Sequence, residues 1–306
     1  MAVIEVANLR KQYGEHVAVE DVSFTVERGE IFGIVGRNGA GKTTTVECVE
    51  GLRKPDRGKV SILGMDAERD ADSIRTRVGV QLQQSQLPEK MRVDEAMALF
   101  ASFYPNPANT DELLHDLGLA EKRRTPYKKL SGGQQQRLAI ALALVGNPEI
   151  AFLDELTTGL DPAARRDTWH LIEGMRDRGV TVVLVTHFME EAERLCDRLA
   201  LVDSGRIVAL DTPAGLVSRV DGGGDRLRFR PSTAFDDKLL TDLPEVTGVA
   251  HTASQVLVSG KGNLLQAVSA TLTTHGIVAL DLRVEQTTLE DAFLALTGRT
   301  LDGDNN

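Results

Sequence analysis

Short apolar runs bounded by glycine turns alternate with longer stretches of helical spacing from residue 1 to about 215, the pattern of an α/β domain. The runs at 31–35, 78–82, 150–153 and 180–185 are nearly continuous in Val, Ile, Leu and Phe. Strands covered on both faces read this way, so they predict a central parallel sheet. Between 83 and 130 the texture changes to helical segments at 93–103 and 111–117, joined by a proline-containing loop at 104–109. This predicts a helical insert over about 84–147.

A second change of pattern follows the glycines at 222–224, a flexible junction. Downstream, strands are predicted at 226–230, 246–251, 256–259 and 277–284, with helices at 235–240, 264–275 and 289–297. The order β-α-β-β-α-β matches a ferredoxin-like split unit. The expected organisation is therefore a domain over 1–220 and a small α+β domain over 221–306, in keeping with 306 residues at roughly 150 per domain.

Charge narrows the partners. With 35 Lys+Arg against 45 Asp+Glu the formal net charge is −10, so no chain-wide basic field exists to hold nucleic acid or an anionic lipid surface. The apolar runs at 138–145 and 180–185 fall far short of the ~20 residues that cross a bilayer. The first residues lack the continuous apolar core of a secretory peptide, and a cytoplasmic location is expected. Cys48 and Cys196 have neither CxxC spacing nor a neighbouring His cluster, which predicts reduced packing residues.

The sharpest chemical signal is Gly36-Arg37-Asn38-Gly39-Ala40-Gly41-Lys42-Thr43, which fits G-x-x-x-x-G-K-[ST] between a predicted strand and a helix opening at Thr44. The glycines allow successive N–H groups to face phosphate oxygens, and the helix N-terminus adds partial positive charge. Lys42 is expected to reach the β and γ phosphates of a bound nucleotide, and Thr43 to ligate Mg²⁺. The apolar run at 150–153 ends in Asp154 and Glu155, at the edge where open α/β sheets bind ligands. Asp154 is placed to hold Mg²⁺ and Glu155 to polarise an attacking water. Alone, Glu155 reads more readily as a solvated loop acid or a helix cap; only the phosphate loop upstream turns the reading to catalysis.

These motifs do not separate a kinase, a GTPase and a motor. Leu130-Ser131-Gly132-Gly133-Gln134, opening a helical segment, does: here the chain resembles the ATP-binding subunits of ABC transporters, whose defining motif is LSGGQ. Physically the segment is a second anion site, with Ser131 and the N–H groups of Gly132 and Gly133 at a helix N-terminus. The resemblance covers residues 1 to about 220 and implies a P-loop ABC cassette. It further implies that this motif faces the γ phosphate held by another protomer, giving a head-to-tail homodimer around two ATP molecules.

Further roles are carried by the resemblance alone. It implies that Tyr13 stacks on adenine, that Gln83 touches Mg²⁺ or water with Gln81 and Gln84 as neighbouring alternatives, that Asp161 crosses the dimer interface, and that His187 contacts the γ phosphate. Leu156 departs from the family, which usually has proline after the glutamate; this puts the rigidity of the following loop in question. A single cassette followed by a small domain ending in TTLEDAFLALTGR resembles the ATPases of drug and antibiotic exporters. The expected function is a peripheral ATPase on the inner face of the cell membrane, driving export of a drug, antibiotic or lipid-like substrate through a separate permease. A second reading, a soluble ABC-type ATPase acting on ribosomes or DNA, calls for two cassettes, coiled coils or zinc insertions, which this pattern lacks.

Overall fold

The computed structural model describes residues 1–81, 87–221, 225–252, 255–285 and 287–298. The chain divides into two compact units, Met1–Pro213 and Ala214–Gly298. The division falls ahead of the glycine run expected to mark it, because the helix Pro213–Asp221 groups with the second unit.

In the first unit the strands are β1 (Ala2–Tyr13), β2 (His16–Glu27), β3 (Ile31–Val35), β4 (Arg57–Ile62), β5 (Met65–Asp66), β6 (Val78–Gln81), β7 (Ile150–Asp154), β8 (Thr181–Thr186), β9 (Arg198–Asp203) and β10 (Arg206–Asp211). They form one sheet in the order β5-β4-β1-β2-β10-β9-β3-β8-β7-β6. The four strands expected to lie parallel do so, at one end of a sheet that is mixed as a whole. β9, β3, β8, β7 and β6 run parallel, whereas β5, β4, β1 and β2 pair antiparallel and β10 lies antiparallel to β9. The cause is local: Tyr13 pairs with His16 across a two-residue turn, and Asp203 pairs with Arg206 across Ser204 and Gly205, both at positive φ. Such turns join antiparallel strands, while a parallel neighbour needs a crossover.

Every residue of β3, β7 and β8 is buried. Their apolar side chains each contribute about 1.5–3 kcal/mol on burial. β8 lies between β3 and β7, so three carboxyl ends meet at one edge. Between β6 and β7 come the helices Val93–Ala101, Thr110–Asp116 and Gly132–Leu144. Asn109 caps the second by accepting from the N–H groups of Asp111 and Glu112. Cys48 and Cys196 are buried free thiols. Among the described residues no helix is long and apolar enough to cross a membrane.

The second unit holds β11 (Asp225–Pro231), β12 (Val246–Thr252), β13 (Gln255–Gly260) and β14 (Ala279–Glu285) in the antiparallel order β12-β13-β11-β14. The helices Lys238–Thr241 and Leu264–Thr274 follow β11 and β13, and Leu289–Thr297 follows β14. Strand alternation turns Leu227, Phe229, Val256 and Val258 inward, onto Leu264, Val268 and Leu272 at helical spacing.

Candidate active site

The phosphate loop runs from the end of β3 into the helix Lys42–Val49. Two glycines are required by close backbone approach. A Cβ at Gly36 would lie 2.1 Å from the Val202 carbonyl oxygen, and one at Gly41, whose φ is +98°, would lie 2.2 Å from that of Ala18. The loop carbonyls of Gly36 and Arg37 accept hydrogen bonds from Lys42 Nζ at 2.9 and 3.0 Å. Burial pulls the Lys42 pKa down, against the opposing charges of Glu155 and Asp154.

An open cleft of about 460 Å³ lies over this loop, lined by Tyr13, His16, Ala18, Asn38, Gly39, Gly41, Lys42, Thr43, Thr44 and Glu155. Residues expected from three separate stretches of sequence are thus brought together. Tyr13 is 40% exposed at the rim, with Lys11 Nζ and the Arg53 guanidinium each 5.6 Å from its ring centroid. His16 and Ala18 were not anticipated. Their only signal is register, because the turn that pairs Tyr13 with His16 carries β2 past the phosphate loop.

Glu155 follows directly on β7 and takes up φ +48°, an uncommon conformation for a residue with a side chain. Its N–H donates to the Val185 carbonyl at 2.9 Å, tying it to β8. That tie brings Glu155 Oε1 to 3.3 Å from His187 Nδ1, just past the end of β8. Leu156, where the family usually has proline, is fully buried, so packing rather than a ring restrains the loop after Glu155.

Acidic groups crowd this edge. Burial, then the charge of Glu155, pushes Asp154 up to about 6, opposed by Lys42 and a hydrogen bond with Thr43. Burial, with Asp154 and Glu47, pushes Glu50 up to about 8. Asp154 Oδ1 is buried without a hydrogen-bond partner. A carboxylate oxygen left open beside a hydroxyl, under mutual repulsion, fits a hard divalent cation. No group of three or more His, Cys, Asp or Glu that could hold a metal by itself occurs among the described residues.

The other expected residues lie off the cleft. Ser131 caps the helix Gly132–Leu144, its Oγ accepting from the Gln134 N–H at 3.3 Å while Gln134 Oε1 accepts from the Ser131 N–H at 3.0 Å. A Cβ at Gly132 would meet nothing within 4 Å, so this helix start is open. Asp161 caps the helix Pro162–Asp177 by accepting from the N–H groups of Ala163 and Ala164. Neither segment lines the cleft. Gln81 is buried at the end of β6, whereas Gln83 and Gln84 lie outside the described residues.

The family model described as ABC transporter matches residues 19–158. The Nod factor export ATP-binding protein I of Ralstonia nicotianae is 38% identical, with 98% of this chain and 95% of that protein covered. The daunorubicin resistance ATP-binding protein DrrA3 of Streptomyces coeruleorubidus is 35% identical, with 96% of each covered. Among solved structures, an ATP-binding subunit of an ABC transporter matches with a TM-score of 0.65 and 30% identity over 72% of this chain and 93% of that one. A bacterial ABC transporter cassette solved as a dimer matches with a TM-score of 0.61 and 29% identity over 68% of this chain and 98% of that one. Motifs, cleft and relatives agree: the chain belongs to the ABC transporter family, as an ATP-hydrolysing, ATP-binding subunit.

Proposed function

We propose that this chain powers export of a drug, antibiotic or lipid-like substrate through a separate membrane permease, by closing head to tail on a second copy when ATP binds. The observation that carries the reading is the split of the site. Lys42, Thr43 and Glu155 line one cleft, while Ser131, Gly132, Gly133, Gln134 and Asp161 lie outside it. A second copy turned head to tail supplies the open helix start of Gly132–Leu144 to the γ phosphate, a phosphate-favouring position. The dimeric solved relative supports this arrangement. Export is supported by the two relatives named for export and for drug resistance, each matched along nearly its whole length. Location at the inner face of the cell membrane follows from that partnership. No observation favours action on ribosomes or DNA.

Within the cleft, Tyr13 stacks on the adenine, and Gly36, Asn38, Gly39, Ala40, Gly41 and Thr44 surround the phosphates. Lys42 exchanges its loop carbonyls for β and γ phosphate oxygens. Mg²⁺ would be held by Thr43 and Asp154, with Gln83 as a further contact, and supplies charge neutralisation of the phosphates. Glu155 accepts a proton from water as the water oxygen bonds to the γ phosphorus. The bond to the bridging oxygen then breaks, and its electron pair leaves with ADP. His187, beside Glu155, contacts the γ phosphate. For the second unit we infer a ferredoxin-like accessory domain, supported by the β-α-β-β-α-β order and the strand order β12-β13-β11-β14.

Replacing exposed Ser131 with arginine tests the split site. Ser131→Arg is expected to keep ATP affinity but to lose the ATP-induced dimer in size-exclusion chromatography. Turnover should fall about 100-fold, the scale of losing an electrostatic donor at a transition state. A normal ATP-induced dimer in this variant would contradict the arrangement.

A further inference from the structure

His187 does not line the nucleotide cleft itself; it reaches the site through Nδ1, which lies 3.3 Å from Glu155 Oε1. The two ring nitrogens point in different directions, so with Nδ1 turned to Glu155 it is Nε2 that is left for a phosphate oxygen. Where Nε2 points depends on rotation of the imidazole about its bond to Cβ. One contact of 3.3 Å, on a side chain that is 25% exposed, does not fix that rotation. A second contact is needed.

Phe188 supplies it. Its ring centroid lies 4.1 Å from that of His187, with 41° between the planes. The backbone of Phe188 is held at both polar groups: its N–H donates to Thr186 Oγ1 at 3.0 Å, and its carbonyl accepts from the Ala192 N–H at 3.2 Å. The ring is held from another element. The Arg165 guanidinium lies 4.5 Å from the Phe188 ring centroid, within the reach of a cation attracted to an aromatic face. Arg165 Nε is buried without a hydrogen-bond partner, and the ring offers its charge the compensation that a hydrogen bond does not. Arg165 belongs to the first turn of the helix Pro162–Asp177, where its N–H donates to the carbonyl of the N-cap Asp161 at 2.9 Å. Contacts thus run without a gap from Asp161 through Arg165, Phe188 and His187 to Glu155.

We propose that Phe188 is a positioning residue which, braced by Arg165, orients the His187 imidazole between Glu155 and the γ phosphate, and so sets turnover rather than nucleotide affinity. Neither Phe188 nor Arg165 lines the cleft, so the effect passes through the aim of the imidazole. Arg165 alone is a poor probe of this role, because its charge also opposes the rise that burial imposes on the Glu191 pKa. Phe188 isolates the ring contact. The inference rests on the reading of Glu155 as the proton acceptor and of His187 as a phosphate contact.

The test is Phe188→Leu in the full chain, with kcat, KM for ATP and equilibrium ATP affinity measured together. Leucine keeps an apolar side chain at this half-buried position and removes the ring. The expected result is a fall in kcat of about 10- to 100-fold, the scale of a misplacement near 1 Å at a reacting centre. KM and ATP affinity should stay within about twofold, since the phosphate loop is untouched. Phe188→Tyr keeps the ring and should retain kcat within about twofold. A cycle with Arg165→Met reads the brace: that substitution should cost less kcat in the Phe188→Leu background than in the wild type, because the ring it acts on is gone. Unchanged kcat in Phe188→Leu, affinity falling in parallel with kcat, an equal loss in Phe188→Tyr, or an equal cost of Arg165→Met in both backgrounds would each overturn the proposal. If Phe188→Leu does not fold, Arg165→Met serves; it is expected to lower kcat with affinity kept, and wild-type kcat overturns the proposal equally. An active Glu155→Gln or His187→Ala enzyme would instead refute the underlying roles of those two residues, so the two failures are distinguishable.

Discussion

Glu155→Gln is expected to abolish steady-state phosphate release while leaving ATP binding intact. The substitution preserves shape at a position that lines the cleft and stands 3.3 Å from His187, and it removes only the ability to accept a proton. General-base catalysis contributes about 10²–10⁴-fold, so the rate should fall by at least about 100-fold. Binding should not weaken, because Lys42 and the loop amides are unchanged. It should tighten slightly, since one of the charges that pushes Asp154 up to about 6 is gone and the site becomes less negative toward a polyphosphate. Phosphate release and nucleotide titration on the same preparation decide the matter. A wild-type rate would refute the assignment of Glu155.

Lys42→Ala should act on the opposite step. Lys42 is 4% exposed, and its ammonium donates to the Gly36 and Arg37 carbonyls. Nucleotide must draw it from those carbonyls to the phosphates. Each hydrogen bond to a charged group contributes about 1.5–3 kcal/mol, so losing the ammonium should weaken ATP binding about 100-fold or more. The loss also leaves Asp154 and Glu155 without the positive charge that offsets them. Calorimetric titration reads the affinity directly, and an unchanged value would contradict the phosphate-loop role.

Legibility in the sequence followed the range over which each feature is determined. The phosphate loop was readable because its requirements are local. Gly36 and Gly41 stand where any side chain would strike a neighbouring backbone, and the strand before them is apolar throughout. The strand ending in Asp154 and Glu155 was readable for the same reason. The antiparallel half of the sheet was not. Register shifts between Val6 and Leu9, and again by Gln12, interrupt the alternation of β1, so its pairing with β2 is not set by the pattern alone. Placing His16 in the cleft depends on that strand pairing. The buried pair of Trp169 and Glu191 meets only through tertiary contact, and no spacing rule connects the two. Ser131 was legible as a helix cap and as a phosphate-favouring terminus, but which nucleotide it serves depends on a second copy that one chain's sequence does not place.

In the proposed assembly ATP is held between the Lys42 loop of one copy and the Ser131 helix start of another. Light scattering of purified Glu155→Gln at saturating Mg-ATP tests it most directly, because hydrolysis no longer reopens the complex. Twice the mass of a single chain is expected with ATP, two ATP molecules being retained per particle, and a single-chain mass with ADP. A single-chain mass under saturating ATP, with ATP binding demonstrated in the same sample, would contradict it.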